Sequence, residues 1–540
     1  MTNKLEALDI VVVGAGFAGL YAIHKFRELG MSVHCLEAAP DVGGVWFHNR
    51  YPGARCDVES LQYSYSFSQE IEADWQWSER YAAQPEILAY INFVADRLDL
   101  RRDISFMARV ASSIWNADEQ IWHITTEAGA NLQARFVILA SGGLSVTRKP
   151  DFPGVDSFEG LSFHTGQWPE EPVDFQGKRV AVIGTGSSGI QAVTAIAPQV
   201  AELVVFQRTP NFIIPSRNRP LDDAARQHWA ENSTAFRARA KQVGTLYEFP
   251  SVGALDVDDA ARRAEYQRRW DGGGVNFVHS FNNIYTDQAA NDTAAEFVRE
   301  RIREIVNDPV TAAKLCPTDH PLGSKRICVA SGYYEAFNLP HVKLVDLRED
   351  SLEAITPAGV RTATVEHEVD MIVFATGYDA LTGALTAIDI RGVDGKKLSD
   401  KWSAGPINYL GLMTEGFPNM FIVTGPGSPS VLVNMLVGIE QHIDWIADCI
   451  ATLRERGAAS IEPDVSAERD WVTQVNAEAD KTLFVKANSW YLGANVPGKP
   501  RVFLPYAGGI GRYRGICDRV AADGYEGFRI TPEHAPGESD

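Results

Sequence analysis

Two stretches of this chain repeat one pattern, and that repeat constrains the fold more than any other feature. DIVVVGAGFAGLYAIHKFRELGMSVHCLE (9–37) and KRVAVIGTGSSGIQAVTAIAPQVAELVVFQR (178–208) each read as a short apolar strand, a G-x-G-x-x-G turn, a helix at 3.6 periodicity and a second apolar strand. The turns fall at Gly14, Gly16, Gly19 and at Gly184, Gly186, Gly189. The first two glycines of such a turn let the backbone approach a pyrophosphate, and the third lets helix pack on strand. The helix N-terminus supplies free N–H groups and partial positive charge. The expected fold is therefore α/β, with two Rossmann-like dinucleotide-binding domains.

The 540 residues are enough for three or four units at roughly 150 residues each, but the pattern interleaves them. RFVILASGGLS closes the first unit and the Pro-rich RKPDFPGVDSFEG links it to the second. From about Leu221 the chain turns charged, Ala-rich and helical, then strand character resumes at VKLVDL and VDMIVFATGYD. The expected organisation is a discontinuous FAD-binding domain (1–145 and 380–540) and a discontinuous NADPH-binding domain (146–220 and 326–379). A helical insertion (221–325) lies within the latter, and a helix is expected from Val431.

The ends of the second strands separate the two ligands. Glu37, 18 residues after Gly19, can accept hydrogen bonds from ribose hydroxyls; Arg208, 19 residues after Gly189, can pair with a 2′-phosphate. The first site thus suits an unphosphorylated ribose, as in FAD, and the second suits NADPH. Two such sites imply electron flow from NADPH to a flavin. The six cysteines (35, 56, 316, 328, 449, 517) include no C-x-x-C pair, which argues against a disulfide reductase, shows no zinc-site spacing and fits a reducing cytoplasm. Reduced flavin then has dioxygen or an external acceptor as its outlet. A net charge of -20 argues against nucleic-acid or anionic-membrane partners. No signal peptide or apolar run of about 18 residues is apparent.

Two longer motifs carry a family resemblance. FEGLSFHTGQWP (158–169) matches F-x-G-x-x-x-H-x-x-x-W-P, and GGVWFHNRYPGARCD (43–57) matches G-G-x-W-x-x-x-x-Y-P-G-x-x-x-D. With TGPGSPS (424–430) and NSWYLGANVPGKPRVF (488–503), the chain resembles the Baeyer-Villiger monooxygenases, nearest the phenylacetone and steroid monooxygenase branch. The resemblance implies an NADPH- and dioxygen-dependent FAD enzyme that converts a ketone to an ester or lactone through a C4a-peroxyflavin and a Criegee intermediate. Thioether sulfoxidation is compatible with it. The alternatives are an N- or S-oxygenating flavin monooxygenase and an NADPH-flavin electron-transfer reductase. A monomer or weak homo-oligomer is expected.

By the same resemblance Arg326, in Gly323-Ser324-Lys325-Arg326, is the catalytic cation and Asp57 its carboxylate partner. Lys325 joins Arg208 at the 2′-phosphate. The implied cofactor contacts also include Phe17, Gly44, Val45, Trp46, Arg55, Tyr63, Val110, Met435 and Trp490. Around the second turn they are Thr185, Ser187, Ser188, Gln191 and Thr209. Phe158, Gly160, His164 and Trp168 are assigned to a hinge rather than to proton transfer. Ser430, Val431 and Leu432 are assigned to the substrate pocket. Relatives usually carry Trp-Tyr-Trp-Asn where this chain has Trp46-Phe47-His48-Asn49, and some carry Gln where it has Gly143.

Overall fold

Between Asp9 and Gly14 the chain has only β-branched apolar residues, the composition of a strand covered on both faces. In the computed structural model, which describes residues 7–148 and 150–533, this run forms β1 (Leu8–Val13), with Ile10 to Val12 fully buried. Parallel to it lies β2 (Val33–Leu36), flanked by β3 (Ile104–Ser105). On the other side, β4 (Val110–Asn116), β5 (Ile121–Thr126) and β6 (Asn131–Leu139) form an antiparallel meander whose last strand runs parallel to β1. Two later strands join this sheet: Met420–Ile422 pairs with β6 and Asp389–Arg391 with β4. Trp122, fully buried, donates from Nε1 to the Pro418 carbonyl at 2.8 Å and so ties the meander to the returning chain.

The second sheet is wholly parallel. Its order is Val342–Asp346, β9 (Glu202–Gln207), β8 (Arg179–Ile183), Met371–Phe374 and β7 (Leu161–His164). Between the short parallel partners Ile213–Ile214 and Cys328–Val329 lie the helices Asp223–Val243, Asp259–Gly272, Gln288–Ile305 and Pro309–Leu315. Each starts behind an aspartate (222, 258, 287, 308) whose carboxylate accepts from backbone N–H groups of the first turn.

Three features escaped the sequence pattern. The β4–β5 pair, the short meander Leu352–Glu368 and the pairing of Ala458–Pro463 with the distant Phe528–Pro532 are antiparallel strands of mixed polarity. The late helix begins at Met435 rather than Val431. Ser430–Leu432 form a single 3-10 turn, Val433 is extended, and Asn434 caps the helix Met435–Glu455 by accepting from Leu436 N–H at 3.2 Å. That helix packs against Phe17–Glu28, with Tyr21 donating to Asp444 at 2.7 Å. All six cysteines are buried and unpaired, and no described helix is long and apolar enough to cross a membrane.

A tight seam joins the two units. Tyr51 donates to Gln191 Oε1 at 2.7 Å, and Gln191 Nε2 donates to the Arg55 carbonyl at 3.1 Å. Gly53 sits between them with φ +80°, where an added Cβ would lie 2.6 Å from the Gln191 carbonyl oxygen. Gly129 has a similar φ of +87° but nothing within 4 Å. Gly53→Ala is therefore expected to lower the thermal unfolding midpoint distinctly more than Gly129→Ala, which carries only the backbone strain of about 1–3 kcal/mol. Equal midpoints for the two variants would show that the seam relaxes freely.

Candidate active site

The two glycine turns are built alike. Gly14 and Gly184 hold φ of +102° and +110°, and a Cβ on Gly19 or Gly189 would collide with the carbonyl of the first glycine at 1.8 Å or 2.1 Å. The third glycine therefore sets how closely helix and strand pack. The helices Phe17–Glu28 and Ser187–Ile196 begin behind Gly16 and Gly186 without a side-chain cap, so their first N–H groups stay open to an anion. Space around Gly186 is clear to 4 Å. Glu37 is buried, and its two oxygens accept from Ala15 N–H at 2.5 Å and Ala39 N–H at 2.7 Å. The carboxylate is thus fixed at the mouth of the first turn with lone pairs left for hydroxyl donors. Both cradles fit a dinucleotide.

Around the first turn, Gly44 packs its Cα against Gly16, where a Cβ would lie 3.1 Å away, and Val45 follows it at the start of a single helical turn. Trp46 donates to the Tyr63 hydroxyl at 3.1 Å, and Tyr63 stands edge-on to Phe17 at 5.5 Å. Val110 is buried at the start of β4, and Met435 opens its helix at the edge of the apolar core. Arg55 pairs through Nη1 with Glu79 and donates from the same nitrogen to the Tyr81 carbonyl. Arg50 lies 4.3 Å over the Phe47 ring, in the segment that departs from the family pattern. Gly143, the other departure, faces Leu381, whose Cδ2 would lie 2.7 Å from an added Cβ, so Leu381 fills the place of a larger side chain.

At the second turn, Thr185 donates to the Thr209 carbonyl at 2.9 Å, Ser188 accepts from Thr165 at 3.3 Å, and Ser187 lies beside Cys328. Arg208 is exposed at the end of β9, and neither it nor Lys325 forms an ion pair among the described residues. Burial lowers the Lys325 pKa; Asp319 opposes this, and Arg208 adds to it by like-charge repulsion. Two neighbouring cations without an ion pair among the described residues are a ready site for a phosphate.

Between the turns stands Arg326. Its Nε and Nη2 donate to the two Asp57 oxygens at 2.9 and 2.8 Å, and Nη1 donates to the Val431 carbonyl at 2.6 Å. Burial opposes the charge, but Asp57 holds the Arg326 pKa well above its ordinary value. The guanidinium side chain keeps 28% exposure. Val431 and Leu432 share an apolar cluster with Met435, Trp490 and Tyr491. Ser430 sits at φ +41°, and its buried hydroxyl has no partner among the described residues, as expected of a group placed for a bound molecule.

The His164 motif does not reach this centre. His164 Nδ1 accepts from Gly166 N–H at 3.0 Å, which leaves the proton on Nε2 to face Thr376 Oγ1 at 3.1 Å. Thr376 in turn donates to the Arg148 carbonyl, and Arg148 Nη1 donates to the Asn495 carbonyl at 2.8 Å. Asn495 Nδ2 donates to the Tyr378 carbonyl at 2.7 Å, and Lys499 pairs with Asp379. Trp168 is buried against Phe163 and Phe175, and its backbone N–H donates to the His48 carbonyl at 3.3 Å. Phe158 packs under Gly160, whose Cβ would meet the Asp370 carbonyl at 2.4 Å. The motif therefore stitches linker, sheets and the Trp490 loop together. Arg148, Asn495, Lys499 and Tyr491 escaped the sequence reading; only the position of the last three in NSWYLGANVPGKP marked them.

The family model for "Flavin-binding monooxygenase-like" proteins matches residues 7–222. A Baeyer-Villiger monooxygenase from Pseudooceanicola batsensis is 42% identical over 96% of this chain and 95% of its own length. The chain belongs to the Baeyer-Villiger monooxygenase family. A solved oxidised steroid monooxygenase bound to NADP superimposes with a TM-score of 0.94 at 50% identity, covering 98% of this chain and 100% of that one. The phenazine N-monooxygenase PhzNO1 of Lysobacter antibioticus is also similar, at 40% identity over 97% of each chain.

In this monooxygenase Asp57 neutralises and orients Arg326, so Asp57→Ala is expected to lower stability by about 2–4 kcal/mol, the scale of lost charge-assisted hydrogen bonds to a partly buried cation. Asp57→Asn, which keeps one acceptor oxygen, is expected to lose less. Chemical denaturation checks the order; unchanged stability in Asp57→Ala would mean that Val431 and solvent suffice for Arg326.

Proposed function

We propose that this enzyme binds FAD on the first glycine turn and NADPH on the second, and uses dioxygen to insert one oxygen atom beside a ketone carbonyl, forming an ester or lactone. The observation that carries this reading is Arg326, held by Asp57 between the two cradles and facing an apolar cluster. Bound flavin supplies the redox chemistry that activates dioxygen. The chain's own part is binding and electrostatics. Glu37 takes the ribose hydroxyls of the first dinucleotide, while Arg208 and Lys325 take the 2′-phosphate of the second. Arg326 stays charged at every working pH, because its pKa is held up, and it stabilises negative charge where the carbonyl is attacked. Asp57 fixes the plane of the guanidinium through two parallel bonds. Val431 and Leu432 offer the apolar wall a ketone needs. His164, its imidazole occupied by Gly166 and Thr376, serves the hinge. Buried, unpaired cysteines suit a reducing cytoplasm.

The 40% identity to a phenazine N-monooxygenase supports a second reading, oxygen transfer to nitrogen or sulfur. A passive electron carrier would need neither the apolar wall nor the held arginine. Turnover of a ketone panel with NADPH under labelled dioxygen separates these readings: one labelled oxygen in an ester or lactone is expected. Label found only on nitrogen or sulfur, or hydrogen peroxide as the sole product, would overturn the proposal. Arg326→Ala is expected to keep NADPH-dependent flavin reduction while ester formation falls by about 10²-fold or more; unimpaired ester formation would move the role to another cation. Arg208→Ala is expected to raise KM for NADPH by about 10-fold or more with little change in kcat, eroding the preference over NADH. An unchanged preference would remove Arg208 from the phosphate site.

A further inference from the structure

The two glycine turns share a backbone but differ in the rings around them. Directly after its second glycine the first turn carries Phe17, where the other carries Ser187. Phe17 is the hub of an aromatic path. Trp46, two residues after the Gly44 that packs on Gly16, has its ring centroid 5.9 Å from that of Tyr63 and donates to its hydroxyl. Tyr63 and Tyr65 both stand edge-on to Phe17, at 5.5 and 5.3 Å. Tyr65 lies 6.2 Å from Tyr21, and Phe67 bridges the two at 5.0 and 4.8 Å. The path ends where Tyr21 donates to Asp444 at 2.7 Å, a carboxylate that is 40% exposed and pairs with Lys25. Packing needs only apolar volume, which Leu or Phe supplies. Four of these rings are instead Trp or Tyr, among the side chains that lose one electron most readily.

We propose that Trp46, Tyr63, Tyr65 and Tyr21 form an electron-supply path that protects the first cradle from damaging one-electron oxidants. This rests on the reading that FAD occupies the first turn. The oxidant is of the hydroxyl-radical class, formed when dioxygen is reduced there and no ketone takes up the oxygen. Trp46 gives it one electron, and with one proton from solvent the oxidant becomes water. The vacancy then passes to Tyr63, across Phe17 to Tyr65, and on to Tyr21.

Proton acceptors decide where it stops. A phenol loses its electron readily only where its proton has a base to go to. Tyr65 donates to the Phe17 carbonyl at 2.6 Å, which is a poor base, and Tyr63 accepts from Trp46. Tyr90, 6.2 Å from Tyr65, offers a side branch, but its hydroxyl accepts from Tyr65 N–H and meets no carboxylate among the described residues. Tyr21 has Asp444. Burial and then Asp444 raise the Tyr21 pKa, so the phenol is intact until it is oxidised. Its proton moves to Asp444 as its electron leaves, which yields a neutral Tyr21 radical. A soluble thiol returns one electron, releasing its own proton, while Asp444 gives the phenol its proton back. The resulting thiyl radicals join in pairs as disulfides. The net change is one hydrogen atom passed from thiol to oxidant, and the second turn, which opens on Ser187 and Ser188, has no counterpart to Phe17.

Blue light absorbed by the flavin of the holoenzyme, with a cobalt(III) ammine to carry away the electron it gains, withdraws an electron from the path without turnover. Electron paramagnetic resonance is expected to show a tyrosyl radical that is lost in Tyr21→Phe and falls severalfold in Asp444→Asn, which keeps an acceptor oxygen but is no base. A signal unchanged in either variant would overturn the path. Peptide mass spectrometry after prolonged NADPH oxidation without ketone gives a second readout. Tyr65→Phe keeps the ring and is expected to shift oxidation products onto Trp46 and Met435; a map identical to that of wild type would also overturn the path. The fluorescence lifetime of the bound flavin tests the underlying reading separately, and replacing both Trp46 and Tyr63 by Phe is expected to lengthen it. An unchanged lifetime would overturn the placing of FAD on the first turn, and the path with it. A lengthened lifetime without a tyrosyl radical in wild type would overturn the path alone.

Discussion

The Arg326–Asp57 pair is the contact on which the rest of the structure turns. Its partners lie 269 residues apart, one on the segment that follows the first βαβ unit and the other where the helical insertion rejoins the second sheet. An arginine at this depth is tolerable only if its charge is met. Asp57 meets it with two bonds, and Val431, from the returning C-terminal region, adds a third. Three separate parts of the chain must therefore be in place before the guanidinium is satisfied. Assembly of the fold and assembly of the site are the same event.

What could be read in the sequence follows from the range of the interactions. The glycine turns are local: a positive φ at Gly14 and the collision that bars a Cβ at Gly19 leave a pattern within six residues. Glu37 and Arg208 were legible for the same reason, since a strand of known length carries each from its turn. The hairpins were not legible, because β4 and β5 mix exposed and buried positions and owe their pairing to Trp115 on Trp122 and to the distant Pro418 carbonyl. The late start of the helix at Met435 depends on Asn434, a cap that competes with an apolar run reading as continuous helix.

The His164 motif shows how a histidine ring can be held through both of its nitrogens by its neighbours. One ring nitrogen accepts from its own turn and the other meets Thr376, so the imidazole is a rigid spacer between the edge strand and the linker. Burial lowers its pKa, which keeps it neutral and the tautomer constant. Through Thr376 and Arg148 the same network reaches Asn495, five residues beyond Trp490. A shift of the linker would thus be felt in the Trp490 loop.

The charge balance gives this network a direction. The chain is strongly acidic overall, yet Arg208 and Lys325 carry no ion-pair partner among the described residues. Arg148, in the linker, has its pKa lowered by burial and then by Arg208. Arg208 repels both Lys325 and Arg148, while Asp319 attracts the first and Asp151 the second, so these forces act on the second sheet, on the Gly323–Arg326 segment and on the linker at once. A phosphate placed among them reverses the sign of that interaction. The cations proposed for the phosphate are thus mechanically continuous with the Trp490 loop, because Arg148 is repelled by Arg208 and bonded to the Asn495 carbonyl.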